Sequence, residues 1–220
     1  MSAKHSPSTL LFTPSSLAAL LATAAIVAPA LAPSQAQAVS FRLVAGGGYE
    51  NLQIEKSEEE TSDPNAAKGY TLQGLGEVGF LDSVPGFSLL AGGGLRYSSL
   101  KAKEIAVEST LTPLMAAVEA GVEFSAIPLL RLQGLVGYDY GLSGKYELEG
   151  DGVDLSLDLK KFNRVSISAR ALLTVAPFVS LGLEPTWYTG EFGIKENDGI
   201  KVDDVDFTGW AVKAVAAFTL

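Results

Sequence analysis

The chain has 220 residues, of which 47% are hydrophobic and 19% charged, and it carries a formal net charge of −9. That length suits one domain or two small ones, and the composition is neither that of a helical membrane protein nor that of a disordered chain. The absence of Cys excludes disulfides and thiolate metal sites, and 25 acids against 16 bases argue against a nucleic-acid partner.

The first segment reads as an address. Lys4 gives a positive start, an apolar run follows from Leu17 to Ala32, and Ala36-Gln37-Ala38 is a small-x-small cleavage pattern. The run is broken by Pro29 and is too short for a membrane-spanning helix. A signal peptide over 1–38 is expected, leaving 39–220 as one domain. The only His, His5, falls in the removed segment. The remainder then has no His for Ser–His, Cys–His or His-ligated metal chemistry, and no enzymatic role, cofactor or metal is expected.

From Val39 onward the apolar residues recur with period two. Tyr70, Leu72, Val78 and Phe80 alternate with Thr71, Gln73 and Glu77, and Leu130, Leu132, Val136, Tyr138 and Tyr140 alternate with Arg131, Gln133 and Asp139. This is the signature of strands with two unlike faces. Strands are expected at about 40–50, 69–81, 86–98, 110–124, 128–141, 163–176, 178–189 and 206–220. They are longer than the usual globular strand and suit a tilted crossing of a bilayer, which takes about 9–11 residues. Connections after the second, fourth and sixth strands are short, including Asp82-Ser83-Val84-Pro85 and Pro177, and those after the odd strands are long and polar. An all-β, eight-stranded antiparallel up-and-down transmembrane barrel is expected.

The aromatic residues sort into two belts. Phe41, Phe80, Phe87, Phe124 and Phe218 fall at the short-turn end, and Tyr49, Tyr70, Tyr97, Tyr138, Tyr140, Trp187 and Trp210 at the loop end. Interfacial anchoring predicts such girdles on an outward face. The opposite face carries Arg42, Glu77, Arg96, Glu119, Glu123, Arg131, Asp139, Arg164, Arg170, Glu184 and Lys213, with Leu75, Leu90, Leu135 and Leu172 between them. Counting from the turns puts Glu77, Glu119, Arg131, Arg170, Glu184 and Lys213 at one height, as a lumenal ion-pair network. Charges so enclosed must pair, because an unpaired one costs several kcal/mol.

These strands, with the leader before them, resemble the small eight-stranded outer-membrane barrels, the group of OmpA's membrane domain, OmpX and OmpW. The resemblance covers 39–220 and rests on pattern rather than on a unique motif. It implies an integral outer-membrane location, lipid and lipopolysaccharide as surroundings, a monomer, and recognition of the last strand by the outer-membrane assembly machinery. Members of these families usually end on an aromatic residue. Here Leu220 is last and Phe218 stands two before it.

Ala45-Gly46-Gly47-Gly48 and Ala91-Gly92-Gly93-Gly94 precede no helix and read as bends of a narrow barrel rather than phosphate loops. Pro185 is expected to force a bulge or an early end of pairing. The first outer loop carries Glu55, Glu58, Glu59, Glu60 and Asp63, and the fourth carries Glu191, Glu196, Asp198, Asp203 and Asp204. They read as solvated acidic loops, or as sites of divalent-cation bridging to lipopolysaccharide phosphates. Asp151-Gly152 reads as a hairpin tip that lets residues 140–162 prolong the fifth and sixth strands.

Two readings of the lumen stand open: a structural ion-pair core, or a narrow gated pore for ions and small solutes. A surface adhesin or receptor acting through the loops is the alternative, followed by a soluble lipocalin-like barrel with its apolar face inside. No Gly-x-Trp stands near the first strand to support the latter. A conduit for hydrophobic solutes would need a less charged interior.

Overall fold

The computed structural model describes residues 39–54, 66–84, 86–103, 107–127, 129–150, 153–195 and 204–220, apart from the side chains of 81–85, 126 and 153. The expected leader, the acidic residues at 55–63 and at 196, 198 and 203, and the Asp151-Gly152 tip lie outside the described residues. Eight strands follow one another: β1 (Ser40–Ile54), β2 (Ala66–Val84), β3 (Phe87–Lys103), β4 (Val107–Ile127), β5 (Leu130–Gly150), β6 (Val153–Ala176), β7 (Val179–Ile194) and β8 (Val205–Thr219). Each pairs antiparallel with its sequence neighbours, and β8 returns to β1, so the sheet closes into an up-and-down barrel. Closure satisfies the ladder on both sides of every strand and leaves no free edge along the shared height.

The strands are longer than expected at the loop end. β4 begins at Val107, β5 runs to Gly150 and β6 starts at Val153, so the connections after β3 and β5 are not the long loops that the sequence suggested. At the other end, Leu81–Val84 belong to β2 and the reversal falls at Gly86, which has φ 78°. Phe178, with φ 69°, completes the reversal after Pro177 and is 72% exposed. Pro185 causes no slip. It sits opposite Val212, and the register of β7 on β6 is the same above and below it. The β6–β7 ladder is interrupted over Ala169–Arg170 against Glu184–Pro185, where the N–H is missing, and resumes beyond it without a shift.

The Gly-rich runs allow close approach. A Cβ on Gly48 would lie 2.0 Å from the Val212 carbonyl oxygen, and one on Gly94 would lie 2.0 Å from that of Gly74. Only a residue without Cβ lets the neighbouring strands curl this tightly on the inner face.

The wall has two storeys of opposite polarity. Through the lower storey the outward residues are apolar. On β6 these are Leu173, Ala171, Ala169, Ile167 and Val165, while Leu172, Arg170, Ser168, Ser166 and Arg164 are buried inside. The outward aromatic residues bound this band. Phe41, Phe80, Phe87, Phe124 and Phe218 ring the turn end, joined by Phe178, and Tyr49, Tyr70, Tyr97, Tyr138, Tyr140, Trp187 and Trp210 ring the opposite limit. Neighbouring rings in that second belt touch, with centroids 5.5 Å apart for Tyr49 and Trp210 and 6.2 Å for Tyr70 and Tyr97. Above it the outward set turns polar, with Gln53, Lys68, Lys101, Lys145, Asp158, Lys160 and Asp206 all exposed.

Inside the upper storey the core is apolar. Leu52, Leu100, Leu111, Met115, Leu159, Phe162, Tyr188, Phe192, Ile194 and Phe207 form one buried cluster, with Tyr146 and Leu157 packed against it. Phe162 stacks on Phe207 at 5.1 Å, and Tyr188 meets Phe207 edge-on at 6.1 Å.

Two bulges produce the change on the longest hairpin. Leu142 is an extra residue of β5, between the Met115–Gly141 and Leu114–Ser143 pairs, and Lys160 is an extra residue of β6 against β7. One inserted residue moves every following side chain to the other face. It sends Tyr146, Leu157 and Leu159 inward and leaves Lys145, Asp158 and Lys160 to water.

The lower band has the properties of a hydrocarbon-facing surface. Ile167 is 63% exposed in its middle. Ile167→Arg is therefore expected to cost about 2–4 kcal/mol in lipid vesicles, and Thr110→Arg, above the aromatic belt, about 0–1 kcal/mol. Urea-unfolding midpoints of the two variants in vesicles check the difference.

Candidate functional site: the lumenal charge network

The inward set of the lower storey forms a connected column of charge. Alternation puts these side chains inside, and burial in a narrow space leaves each no partner but another strand's side chain.

Near the turn end, Arg42 of β1 reaches across to Glu123 of β4, Nη1 to Oε2 at 2.6 Å, and Gln133 donates to the same oxygen at 2.7 Å. Arg42 also lies 3.8 Å from Glu77 Oε2. In the middle stands Arg170 of β6. Its Nε donates to Glu184 Oε2 at 2.6 Å, its Nη2 to Glu119 Oε1 at 3.1 Å, and its Nη1 to Gln133 Oε1 at 3.0 Å and to Glu77. Lys213 completes this layer, with Nζ 2.5 Å from Glu184 Oε1 and donating to Gln73 Oε1 at 2.8 Å. Gln73 in turn donates to Glu184 Oε2 at 3.0 Å.

Toward the loop end, Arg96 links the middle to the top. It lies 3.7 Å from Glu119, donates to Gln73 at 3.2 Å, and bonds Asp139 at 2.6 Å. Arg164 bonds Asp139 and reaches Glu50 Oε1 at 2.5 Å, and Ser98 donates to Glu50 Oε2 at 2.6 Å. The Arg164 guanidinium lies 4.8 Å from the ring centroid of Tyr188, which is part of the apolar cluster above. Charge therefore gives way to aromatic packing at this point. Arg170, Lys213, Glu184, Asp139 and Glu50 are all at most 1% exposed.

Five of the expected residues thus meet in the middle layer: Glu77, Glu119, Arg170, Glu184 and Lys213. Arg131 does not. It is half-buried near the turn end, where its Nη1 donates to Thr219 Oγ1 at 3.4 Å. The correction has a geometric cause. Barrel strands are tilted and staggered, so equal counts from a turn are not equal heights. In the actual register Gln133 lies opposite Arg170, and Arg131 lies opposite Leu172, two residues nearer the turn. Arg96 takes the place in the network that Arg131 was assigned.

Sequence reasoning missed Glu50, because β1 seemed to end there, and it passed over Gln73, Gln133 and Ser98 as uncharged. The signal for Glu50 was its parity with Arg42 and Val44 on the same strand.

No partner in this column is exchangeable without loss. Glu184→Ala is expected to lower stability by about 3–5 kcal/mol, since it strands Lys213 and removes a carboxylate from Arg170. Arg131→Ala, with one long hydrogen bond at a hydrated rim, is expected to cost under about 1 kcal/mol. Denaturant midpoints in detergent, read by the mobility of boiled and unboiled samples, check the contrast.

No family model matches the chain, and no curated protein matches it. Among solved structures it is similar to neisserial surface protein A, with a TM-score of 0.49, 12% identity, and coverage of 82% of this chain and 98% of that one. It is similar to a major outer membrane protein from Thermus thermophilus, with a TM-score of 0.47, 14% identity, and coverage of 83% and 100%. It is also similar to Ail, the attachment invasion locus protein of Yersinia pestis, with a TM-score of 0.41, 16% identity, and coverage of 80% and 98%. At these identities each likeness is one of barrel fold.

Proposed function

We propose that the chain is an integral outer-membrane barrel that works without catalysis, has a closed lumen, and acts through its outer surface. The observation that carries this reading is the filled interior. Ion pairs run in a chain from Glu123 through Arg42, Glu77, Arg170, Glu119, Arg96, Asp139 and Arg164 to Glu50, and an apolar cluster lies over the end of that chain. Opening a path for ions would strip paired charges in a low-dielectric space and would also have to part the Phe162–Phe207 stack. The outward apolar band between two aromatic belts supports the membrane location. Lipid and lipopolysaccharide are the surroundings that this reading gives the band. The C-terminal strand, with Phe218 facing outward, is the segment that we assign to the assembly machinery.

A second observation favours action at the surface. The β5–β6 ladder continues to the Gly150–Val153 pair, whereas β7 accompanies β6 only as far as the Leu159–Ile194 pair. β4 accompanies β5 to the Val107–Gly150 pair, so a three-stranded ribbon of β4, β5 and β6 with polar outward residues stands above the point where β7 ends and is the part best placed to meet a partner from outside.

Planar-bilayer recording tests the closed lumen. The refolded full chain is expected to give no sustained conductance. Replacing residues 146–157 by a tight turn is expected to keep the heat-modifiable band while abolishing attachment of expressing cells to any surface that the intact chain binds. Steady single-channel steps from the intact chain, lost in Lys213→Ala, would favour the narrow pore instead.

A further inference from the structure

The rim above the aromatic belt is not uniform in charge. On the β6–β8 side Lys161 and Lys195 face acids. Lys161 lies 3.0 Å from Glu191 and 2.7 Å from Asp204, and Lys195 lies 3.5 Å from Asp158. On the β2–β3 side the arrangement is the reverse. Lys68 and Lys101 are direct cross-strand partners on the outward face, both exposed. Like charges directly opposite one another repel and weaken a strand pair. Glu108 bonds Lys101 at 2.6 Å, but Lys103 faces that same carboxylate in the ladder, and among the described residues no acid pairs with Lys68. Glu149 stands opposite Glu108 on the next strand, so among the described residues the positive charge left without an ion pair is that of Lys68 beside Lys101.

What lies beneath it gives the patch a direction. Toward the apolar band, Tyr70 comes two residues below Lys68 and Tyr97 four below Lys101, and their rings touch. Farther down, outward Gly74 and Gly76 leave the wall bare. A Cβ on Gly74 would meet nothing within 4 Å, and one on Gly76 would meet only the Gly93 carbonyl oxygen at 3.9 Å. Outward Leu72 stands between Tyr70 and this shallow track, and Leu95, opposite Gly74, lies beside it; both are exposed. From top to bottom the order is a cationic pair, an aromatic collar and a smooth apolar strip.

We propose that the β2–β3 face binds one phosphate-bearing lipid of the outer leaflet, with its phosphate between Lys68 and Lys101 and an acyl chain along the Gly74–Gly76 strip. This rests on the outer-membrane reading and names a lipid site within it. Charge complementarity selects the ligand. A phosphate bridging two ammonium groups turns their repulsion into attraction, and aromatic residues at this height lie where headgroup meets hydrocarbon. The contact is direct and needs no divalent cation, unlike bridging through the acidic loops.

The experiment uses the full chain in phosphatidylcholine vesicles, with and without bisphosphorylated lipid A. Lipid A is expected to raise the urea midpoint of the wild type, EDTA is expected to leave that gain unchanged, and Lys68→Gln/Lys101→Gln is expected to remove it. In phosphatidylcholine alone the double variant is expected to unfold at nearly the wild-type midpoint, since the repulsion that it loses offsets the exposed Lys101–Glu108 pair that it also loses. Native mass spectrometry of the wild type, which needs no variant, is expected to retain lipid A over its dephosphorylated form. The double variant is expected to weaken that retention roughly 30-fold, the effect of two charges at a membrane surface. Equal stabilisation of wild type and variant would overturn the site. Loss of the gain in EDTA would assign the lipid to the acidic loops, and an equal gain from inorganic phosphate would make it a free-anion site. Failure of the wild type to insert into either vesicle would instead overturn the membrane reading.

Discussion

The guanidinium of Arg170 holds carboxylates from three other strands at once. A barrel that presents its apolar residues outward has given up the ordinary hydrophobic core, and something must define its interior. Here directional bonds do so. A guanidinium offers donors in a fixed plane, so Glu77, Glu119 and Glu184 can be satisfied together only at one relative height of β2, β4, β6 and β7. Register, which repetitive Gly- and Ala-rich strands specify weakly, is thereby fixed from within.

The second organising constraint is that the surroundings of the wall change along its height while the ladder continues. Below the Tyr/Trp belt the outside is apolar and the inside polar; above it the two exchange. β6 carries both patterns in one strand, Arg164–Ser166–Ser168–Arg170 inside below and Leu157–Leu159–Phe162 inside above. The same strand is an apolar-outside, polar-inside wall over one part and a conventional half-buried strand over the other. Tyr188 and Arg164 mark the joint, where a cation sits over an aromatic face.

Much of the fold was legible because period two survives any uncertainty about where a strand ends. Glu77, Glu119, Arg170, Glu184 and Lys213 were found by parity and by counting from the turns. Arg131 was misplaced because parity carries no information on stagger, which depends on how neighbouring strands slide and appears only in the register. Phe192 was missed because the seventh strand was ended at 189, whereas Glu50, Tyr188 and Phe207 stood at the ends of expected strands, where the inward face was not followed. The doublet Lys160-Lys161, two polar neighbours in an otherwise alternating run, was the visible trace of the slip that brings Leu159 inside. Pro185 misled in the opposite sense. The pairing to β6 does lapse beside it, but the ladder to β8 is continuous and holds the strand in step, so no bulge forms.

The paired bulges at Leu142 and Lys160 also govern how the outer ribbon can change over time. Because each strand is re-phased where it leaves the aromatic belt, the parity of everything above is set independently of the charge column below. Residues can be gained or lost in the ribbon two per strand, preserving which side faces water, without disturbing Asp139 or Arg164. A single-residue change on one strand would instead turn that strand's leucines outward. Length variation at this end of the molecule is therefore quantised, and the part that meets the exterior is free to diverge in even steps while the interior stays fixed.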